Sequence, residues 1–174
     1  MTGFRLDKGG LIDRRRKINF RYNGQQITGF KGDTIASALM ASGHMLVGRS
    51  FKYHRPRGIM SAGVEEGGAL FNTGDGAARI PNVKGTVTEI SEGLRVYSQN
   101  VFPSPEFDLG AVNGLIAPFI TAGFYYKTFM GPFANTKFWM VCERFIRRAA
   151  GLGRASREAD PSKYDIANGF CDAL

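Results

Sequence analysis

The chain has 174 residues, 43% of them hydrophobic, and its 23 Lys and Arg outnumber 15 Asp and Glu to give a formal charge of +8. That is one domain of ordinary size plus an extension, with enough apolar side chains for a core, so a wholly disordered chain is excluded. The positive balance favours anionic partners (nucleic acid, phosphate groups or an acidic protein surface) without choosing among them. The opening MTGFRLDKGG holds no apolar stretch of a secretory signal. Cys142 and Cys171 are the only cysteines, with no C-x-x-C and no neighbouring His. Such a pair makes neither a metal site nor a disulfide framework and fits a reduced, cytoplasmic setting.

Residues 17–22 alternate, with Ile18, Phe20 and Tyr22 on one side and Lys17, Asn19 and Arg21 on the other, which predicts a half-buried strand. Arg14, Arg15 and Arg16 before it read as a solvated lead-in. Asn23-Gly24 predicts a hairpin turn, and residues 25–30 its return strand. Asp33 stands where an N-cap belongs, ahead of a helix over 34–42 whose apolar stripe is Ile35, Ala38 and Leu39. Gly43 follows at the stop position. Residues 45–47 and 69–72 are further strand candidates, and Gly74-Asp75-Gly76 marks a turn.

Val83, Val87, Ile90, Leu94 and Val96 predict a strand pair around Glu92-Gly93. Residues 102–108, with Pro103 and Pro105, form a connector. Residues 109–126 carry no charge, but Asn113, Pro118, Thr121 and the glycines 110, 114 and 123 break the run. Buried irregular or helical structure is expected there, not a bilayer span. Residues 137–150 predict an amphipathic helix, with Phe138, Val141, Cys142, Phe145 and Ala149 on one face. Glu143, Arg144, Arg147 and Arg148 take the other, and Gly151 and Gly153 end it. Cys142 then reads as a buried structural thiol. Residues 154–167 are polar and read as a linker.

The densest chemistry lies between Gly48 and Gly63, in GRSFKYHRPRGIMSAG. Arg49, Lys52, His54, Arg55 and Arg57 alternate with Phe51 and Tyr53 and are closed by Pro56 and Gly58. Five cationic or potentially cationic groups cannot all be buried, because desolvating unpaired charge costs several kcal/mol each. The loop is either a solvated surface or a site that meets an anion. His54, among four fixed cations, is expected to stay neutral. The aromatic run Phe124, Tyr125, Tyr126 and Phe129 reads as a subunit interface, and Trp139 as a packing residue. Glu65 and Glu66 are adjacent, so they are poor candidates for a concerted carboxylate pair and are expected to meet the basic loop or solvent. Ser61 has no base beside it. No H-E-x-x-H, G-x-S-x-G, phosphate-loop or dinucleotide-loop pattern occurs. No catalytic residue and no metal ligand set is therefore predicted. The basic residues are spread over separate segments without an RNA-binding signature, so no nucleic acid is expected as partner.

Hairpin, helix, strand, long loop and strand is the order of a β-grasp, the fold of plant-type ferredoxins. The fold class predicted is therefore α+β: a β-grasp domain of the 2Fe-2S ferredoxin type but without a cluster, over residues 1–80. A strand-and-helix extension over 81–153 and a linker over 154–174 follow it. In a ferredoxin the long loop carries the cluster cysteines, whereas residues 51–68 contain none. Ser61 and Glu65-Glu66-Gly67-Gly68 stand where thiolates would be needed.

Taken in order, GDTIASALMASG, GRSFKYHRPRG, SAGVEEGGAL, the stretch from PNVKGTVTEI to FYYKTF, and IRRAAGLGRA resemble the amino-terminal region of the alpha subunit of heterotetrameric sarcosine oxidase. The resemblance runs from Phe4 to Leu174. Glu65-Glu66-Gly67-Gly68 departs from the Glu-Glu-Pro-Asn it leads one to expect. It implies a subunit of a flavoenzyme complex that oxidises sarcosine to glycine and formaldehyde, passing electrons from FAD through FMN to oxygen to give hydrogen peroxide. Tetrahydrofolate takes up the one-carbon unit, and the alpha subunit binds NAD. The implied partners are the remainder of the alpha subunit and the beta, gamma and delta subunits, with no membrane. The family opens a dinucleotide-binding domain with a Cys-Asp pair, which Cys171-Asp172 matches just before the last two residues. The chain is thus expected to be an amino-terminal piece that binds no cofactor alone. Hydrogen cyanide synthase and dye-linked proline or amino-acid dehydrogenases share the β-grasp start, but their loops commonly carry cluster cysteines.

Overall fold

A computed structural model of the chain describes residues 4–115, 117–119, 138–149, 151, 153–160, 162–163 and 166. Its first strands, β1 (Asp13–Tyr22) and β2 (Gln25–Lys31), pair antiparallel around Asn23 and Gly24. Those two residues have φ of 47° and 85°, the left-handed pair that matches strand twist in a two-residue hairpin. The alternation buries Phe20 and Tyr22 as expected. β1 nevertheless begins before Lys17. Asp13 pairs with Lys31 and Lys17 with Phe30, so Arg14, Arg15 and Arg16 form a bulge inside the strand rather than a lead-in. Extra residues on one strand break the period of two, which hides the strand from a periodicity reading.

Helix α1 (Ile35–Ala41) starts from Thr34, not Asp33. Thr34 Oγ1 accepts from Ser37 N at 3.2 Å, and Ser37 Oγ accepts from Thr34 N at 2.9 Å, a reciprocal capping box. Asp33 is buried beneath the helix start. Its carboxylate accepts from Phe30 N at 2.8 Å, Ser37 Oγ at 2.7 Å and the Arg5 guanidinium at 2.7 and 3.1 Å. Ile35, Ala38 and Leu39 are fully buried in the core. Gly29 permits this close approach: a Cβ there would lie 2.5 Å from Ile90 Cδ1 and 3.2 Å from Ala38 Cβ.

Five further strands follow: β3 (Gly48–Arg49), β4 (Pro56–Arg57), β5 (Leu70–Thr73), β6 (Ile80–Lys84) and β7 (Arg95–Ser98). The main sheet has the order β2-β1-β7-β5-β6, with β7 parallel to β1 and the other pairs antiparallel. β3 and β4 form a separate ribbon, so the third strand falls just after the 45–47 expected. The expected pairing across Glu92-Gly93 does not form, because β5 lies between β6 and β7. Residues 85–90 instead serve α1: Ala36 N donates to Gly85 O, Ile35 N to Thr88 O and Ile90 N to Asp33 O. The sheet continues through Ser98, so the boundary expected at residue 80 falls on β6.

Helix α2 (Phe138–Ala149) lies where the periodicity predicts, but its described apolar residues Met140, Val141 and Phe145 are exposed and Cys142 is only half-buried. Leu109, Val112 and Leu115 are exposed too, against the expectation of a buried segment. That stretch forms 3-10 turns at Leu109–Gly114 and Ala117–Phe119 and rests on the tip of the basic ribbon, not on the core. No helix among the described residues is long and apolar enough to cross a membrane.

Candidate interface on the basic ribbon

β3 and β4 fold the basic segment into a short hairpin, with Gly48 opposite Arg57 and Arg49 opposite Pro56. At its tip Ser50 N donates to Arg55 O at 2.9 Å and His54 N to Ser50 O at 3.0 Å, with His54 at φ 52°. This turn divides the five predicted residues into two sets.

Arg49 and His54 point to the 102–108 connector. Arg49 donates through Nε to Pro105 O at 2.8 Å, through Nη1 to His54 O at 3.1 Å and through Nη2 to Glu106 O at 3.3 Å. Its guanidinium fork is a strut between ribbon and connector, engaged by carbonyls and not by an anion. His54 Nδ1 lies 2.6 Å from Asp108 Oδ2, with side-chain exposures of 13% and 1%. Asp108 Oδ1 accepts from Phe102 N at 2.9 Å and Gly110 N at 3.3 Å. The anion that meets this part of the basic segment is thus intramolecular.

Lys52, Arg55 and Arg57 form the other set. Lys52 Nζ lies 4.9 Å and Arg55 Cζ 4.8 Å from the Tyr53 ring centroid, cation–π contacts that hold both side chains near one aromatic. Arg55 and Arg57 are exposed. Phe51, next to Lys52 in the ribbon, is exposed, and so are Phe102 and Phe107 in the connector and Leu109 and Val112 in the turn after it. Exposed cations and exposed large apolar side chains are both found on protein contact surfaces. The interface aromatics Phe124, Tyr125, Tyr126 and Phe129 lie outside the described residues.

Glu66 departs from expectation. It is only 4% exposed, and its close partners are backbone N–H groups, not the basic side chains. Oε2 accepts from Met60 N at 2.6 Å and Ser61 N at 2.7 Å, and Oε1 from Gly68 N at 2.6 Å. Burial pushes this carboxyl up, but the N–H donors outweigh it and hold the group below the usual carboxylate range. Glu65 remains exposed. A cleft of about 700 Å³ opens between this loop and the ribbon, lined among others by Arg49, Phe51, Arg57, Met60 and Glu66. A larger one of about 1220 Å³ is lined among others by His54, Asp75, Arg79, Tyr97 and Asp108. In it Tyr97 donates to Asp75 at 2.7 Å and Arg95 pairs with the same carboxylate, which lowers the Asp75 pKa.

Sequence reasoning missed Asp108 and gave Glu66 to the basic loop or solvent. Asp108 lies 54 residues from His54, beyond any local pattern. For Glu66 the signal was Gly67-Gly68, whose unencumbered backbone turns back onto the carboxylate.

The chain belongs to the family of 2Fe-2S iron-sulfur cluster binding domains, whose pattern covers residues 15–101. The α+β, ferredoxin-like fold expected from the element order is that of this family. Over its whole length the chain is 53% identical to the sarcosine oxidase subunit alpha of Rhizobium meliloti (strain 1021), across 175 aligned residues that make up 17% of that protein. Over 66 residues it is 47% identical to the sarcosine oxidase subunit alpha of Corynebacterium sp. (strain U-96), covering 38% of this chain and 7% of that one. The strain P-1 protein of the same name is 49% identical over 73 residues, 40% of this chain and 8% of that one. The chain therefore spans less than a fifth of the length of these relatives, and the resemblance read from its motifs is borne out. A crystal structure of L-proline dehydrogenase from P. horikoshii overlaps with a TM-score of 0.39 at 16% identity, covering 50% of this chain and 16% of that one.

Family membership implies a cluster that the residues present do not fit. Residues 15–101 contain no cysteine, and no group of three or more His, Cys, Asp or Glu among the described residues is placed to hold a metal ion. Cluster iron needs four such ligands, usually thiolates.

Proposed function

We propose that the chain is a cluster-free module of a sarcosine oxidase alpha subunit, part of a flavoenzyme complex of oxidoreductase class. The reaction of that complex converts sarcosine, oxygen and water to glycine, formaldehyde and hydrogen peroxide, with methylenetetrahydrofolate as the alternative one-carbon product. The observation that carries this reading is the 53% identity across the whole chain to a sarcosine oxidase alpha subunit. FAD, FMN, NAD and tetrahydrofolate belong to the complex in this proposal, and none is held by this chain alone. The setting is cytoplasmic, and no membrane takes part.

The module works as a contact surface. Its partners are the remainder of the alpha subunit and the beta, gamma and delta subunits. Lys52 and Arg55, held beside Tyr53, and the exposed Arg57 meet carboxylates or phosphate on that partner surface. Phe124, Tyr125, Tyr126 and Phe129 are interface aromatics in the same proposal. Arg49 and His54 hold the ribbon in place for it. Supporting this are the exposed cations of the ribbon, the exposed apolar side chains of ribbon and connector and the absence of a thiolate set for electron transfer.

The test is Arg55→Ala with Arg57→Ala in the intact complex. Assembly or cofactor retention should weaken by about 1–3 kcal/mol, the range for charge-assisted hydrogen bonds. The melting temperature of the module should barely move, since both side chains are exposed. A double variant that assembles normally and keeps its full flavin and NAD would mean that the ribbon is only a solvated surface.

A further inference from the structure

We infer that residues 60–68 form a carboxylate-binding nest, filled by the chain's own Glu66, and that a small monocarboxylate such as formate takes the same place when the Glu66 side chain is removed. The nest is built from both ends of the loop. Met60 N and Ser61 N converge on Oε2 from one end, Gly68 N reaches Oε1 from the other, and Ser61 Oγ adds a longer contact at 3.5 Å. Backbone N–H groups aimed at one point are the standard means of binding an anion without a cationic side chain. One carboxylate thereby closes the loop on itself.

The surroundings are shaped for it. A Cβ at Gly68 would lie 3.0 Å from Glu66 Oε1 and 3.0 Å from Gly58 O, so the backbone comes as close as only glycine allows. The outer part of the loop is tied down separately: Thr86 Oγ1 donates to Gly63 O at 2.8 Å and Lys84 Nζ to Val64 O at 2.5 Å. Glu66 also lines the 700 Å³ cleft together with Met60, Ser61, Gly67 and Gly68, which gives an external carboxylate a route to the nest. Charge matters as much as shape. A Gln in this position has an NH2 facing one set of N–H donors, so it satisfies one end of the loop and repels the other.

The experiment is amide hydrogen exchange on the 174-residue chain carrying Glu66→Ala or Glu66→Gln. In Glu66→Ala exchange at Met60, Ser61 and Gly68 should rise about tenfold or more, as for loss of charge-assisted hydrogen bonds, and in Glu66→Gln it should rise at one end of the loop only, at Met60 and Ser61 or at Gly68, while Phe20 and Val96 in the sheet keep their protection in both. Sodium formate should restore protection in Glu66→Ala, and sodium chloride at equal ionic strength should not. In Glu66→Gln formate should do nothing, because the side chain still fills the site. Unchanged exchange in either variant overturns the inference, as does equal rescue by chloride and formate. If Glu66→Ala fails to fold, Glu66→Gln decides: wild-type protection of all three amides in it rejects the nest.

Discussion

His54 Nδ1 stands 2.6 Å from Asp108 Oδ2 across 54 residues of sequence and pins the tip of the basic ribbon to the connector. Because Asp108 also accepts from Phe102 N and Gly110 N, its removal leaves two backbone donors and an imidazole without partners. Asp108→Ala should cost about 1–3 kcal/mol, the usual penalty for orphaned buried polar groups. A double-mutant cycle with His54→Ala, read by denaturant unfolding, should give a coupling energy of at least about 0.5 kcal/mol. Strict additivity of the two variants would mean that the pair does not hold the ribbon.

Arg49→Lys should behave like a deletion and not like a conservative change. The three carbonyls of Pro105, His54 and Glu106 are met by three different nitrogens of one planar fork, which a single ammonium cannot reproduce. A loss of about 1–2 kcal/mol is expected. Arg55→Ala should stay within about 0.5 kcal/mol, as for an exposed side chain. Thermal melts of the two variants side by side check the contrast, and equal melting temperatures would refute it.

Gly29→Ala should destabilise by about 1–3 kcal/mol through overpacking, since the added methyl meets Ile90 Cδ1 at 2.5 Å. Combining it with Ile90→Val, which removes that methyl, should return part of the loss. Measured midpoints that show no recovery would place the strain elsewhere.

Tyr22 makes the fold sensitive to alkali. Burial pushes its phenol from 10.0 up to about 12, so the folded state keeps a proton that the unfolded chain loses. Its contribution is fully present below pH 10 and is lost as the pH rises through about 12. The loss amounts to about 2–3 kcal/mol by linkage. Tyr22→Phe should abolish that part of the decline, seen as a flatter stability curve on the alkaline side. Parallel curves for both proteins would contradict the assignment.

What could be read from the sequence is what short segments decide by themselves. The Asn23-Gly24 hairpin, α1 and α2 follow from turn chemistry and periodicity within a few residues. The absence of cluster thiolates in residues 51–68 is a plain fact of composition. The run of motifs was specific enough to indicate the relatives. Placement was not legible. β7 is inserted parallel to β1 and beside β5, because residues 85–90 spend their backbone hydrogen bonds on the start of α1 and cannot close a hairpin. The basic segment looked like one cationic surface, yet the fold turns Arg49 and His54 inward to the connector and leaves Arg55 and Arg57 outside. Glu66 looked like a solvent-facing partner of that surface and is instead the buried centre of its own loop. In each case the partner is brought in by the tertiary fold, and no local pattern of charge or hydropathy encodes a contact made across the sheet or by backbone amides folding back on a side chain.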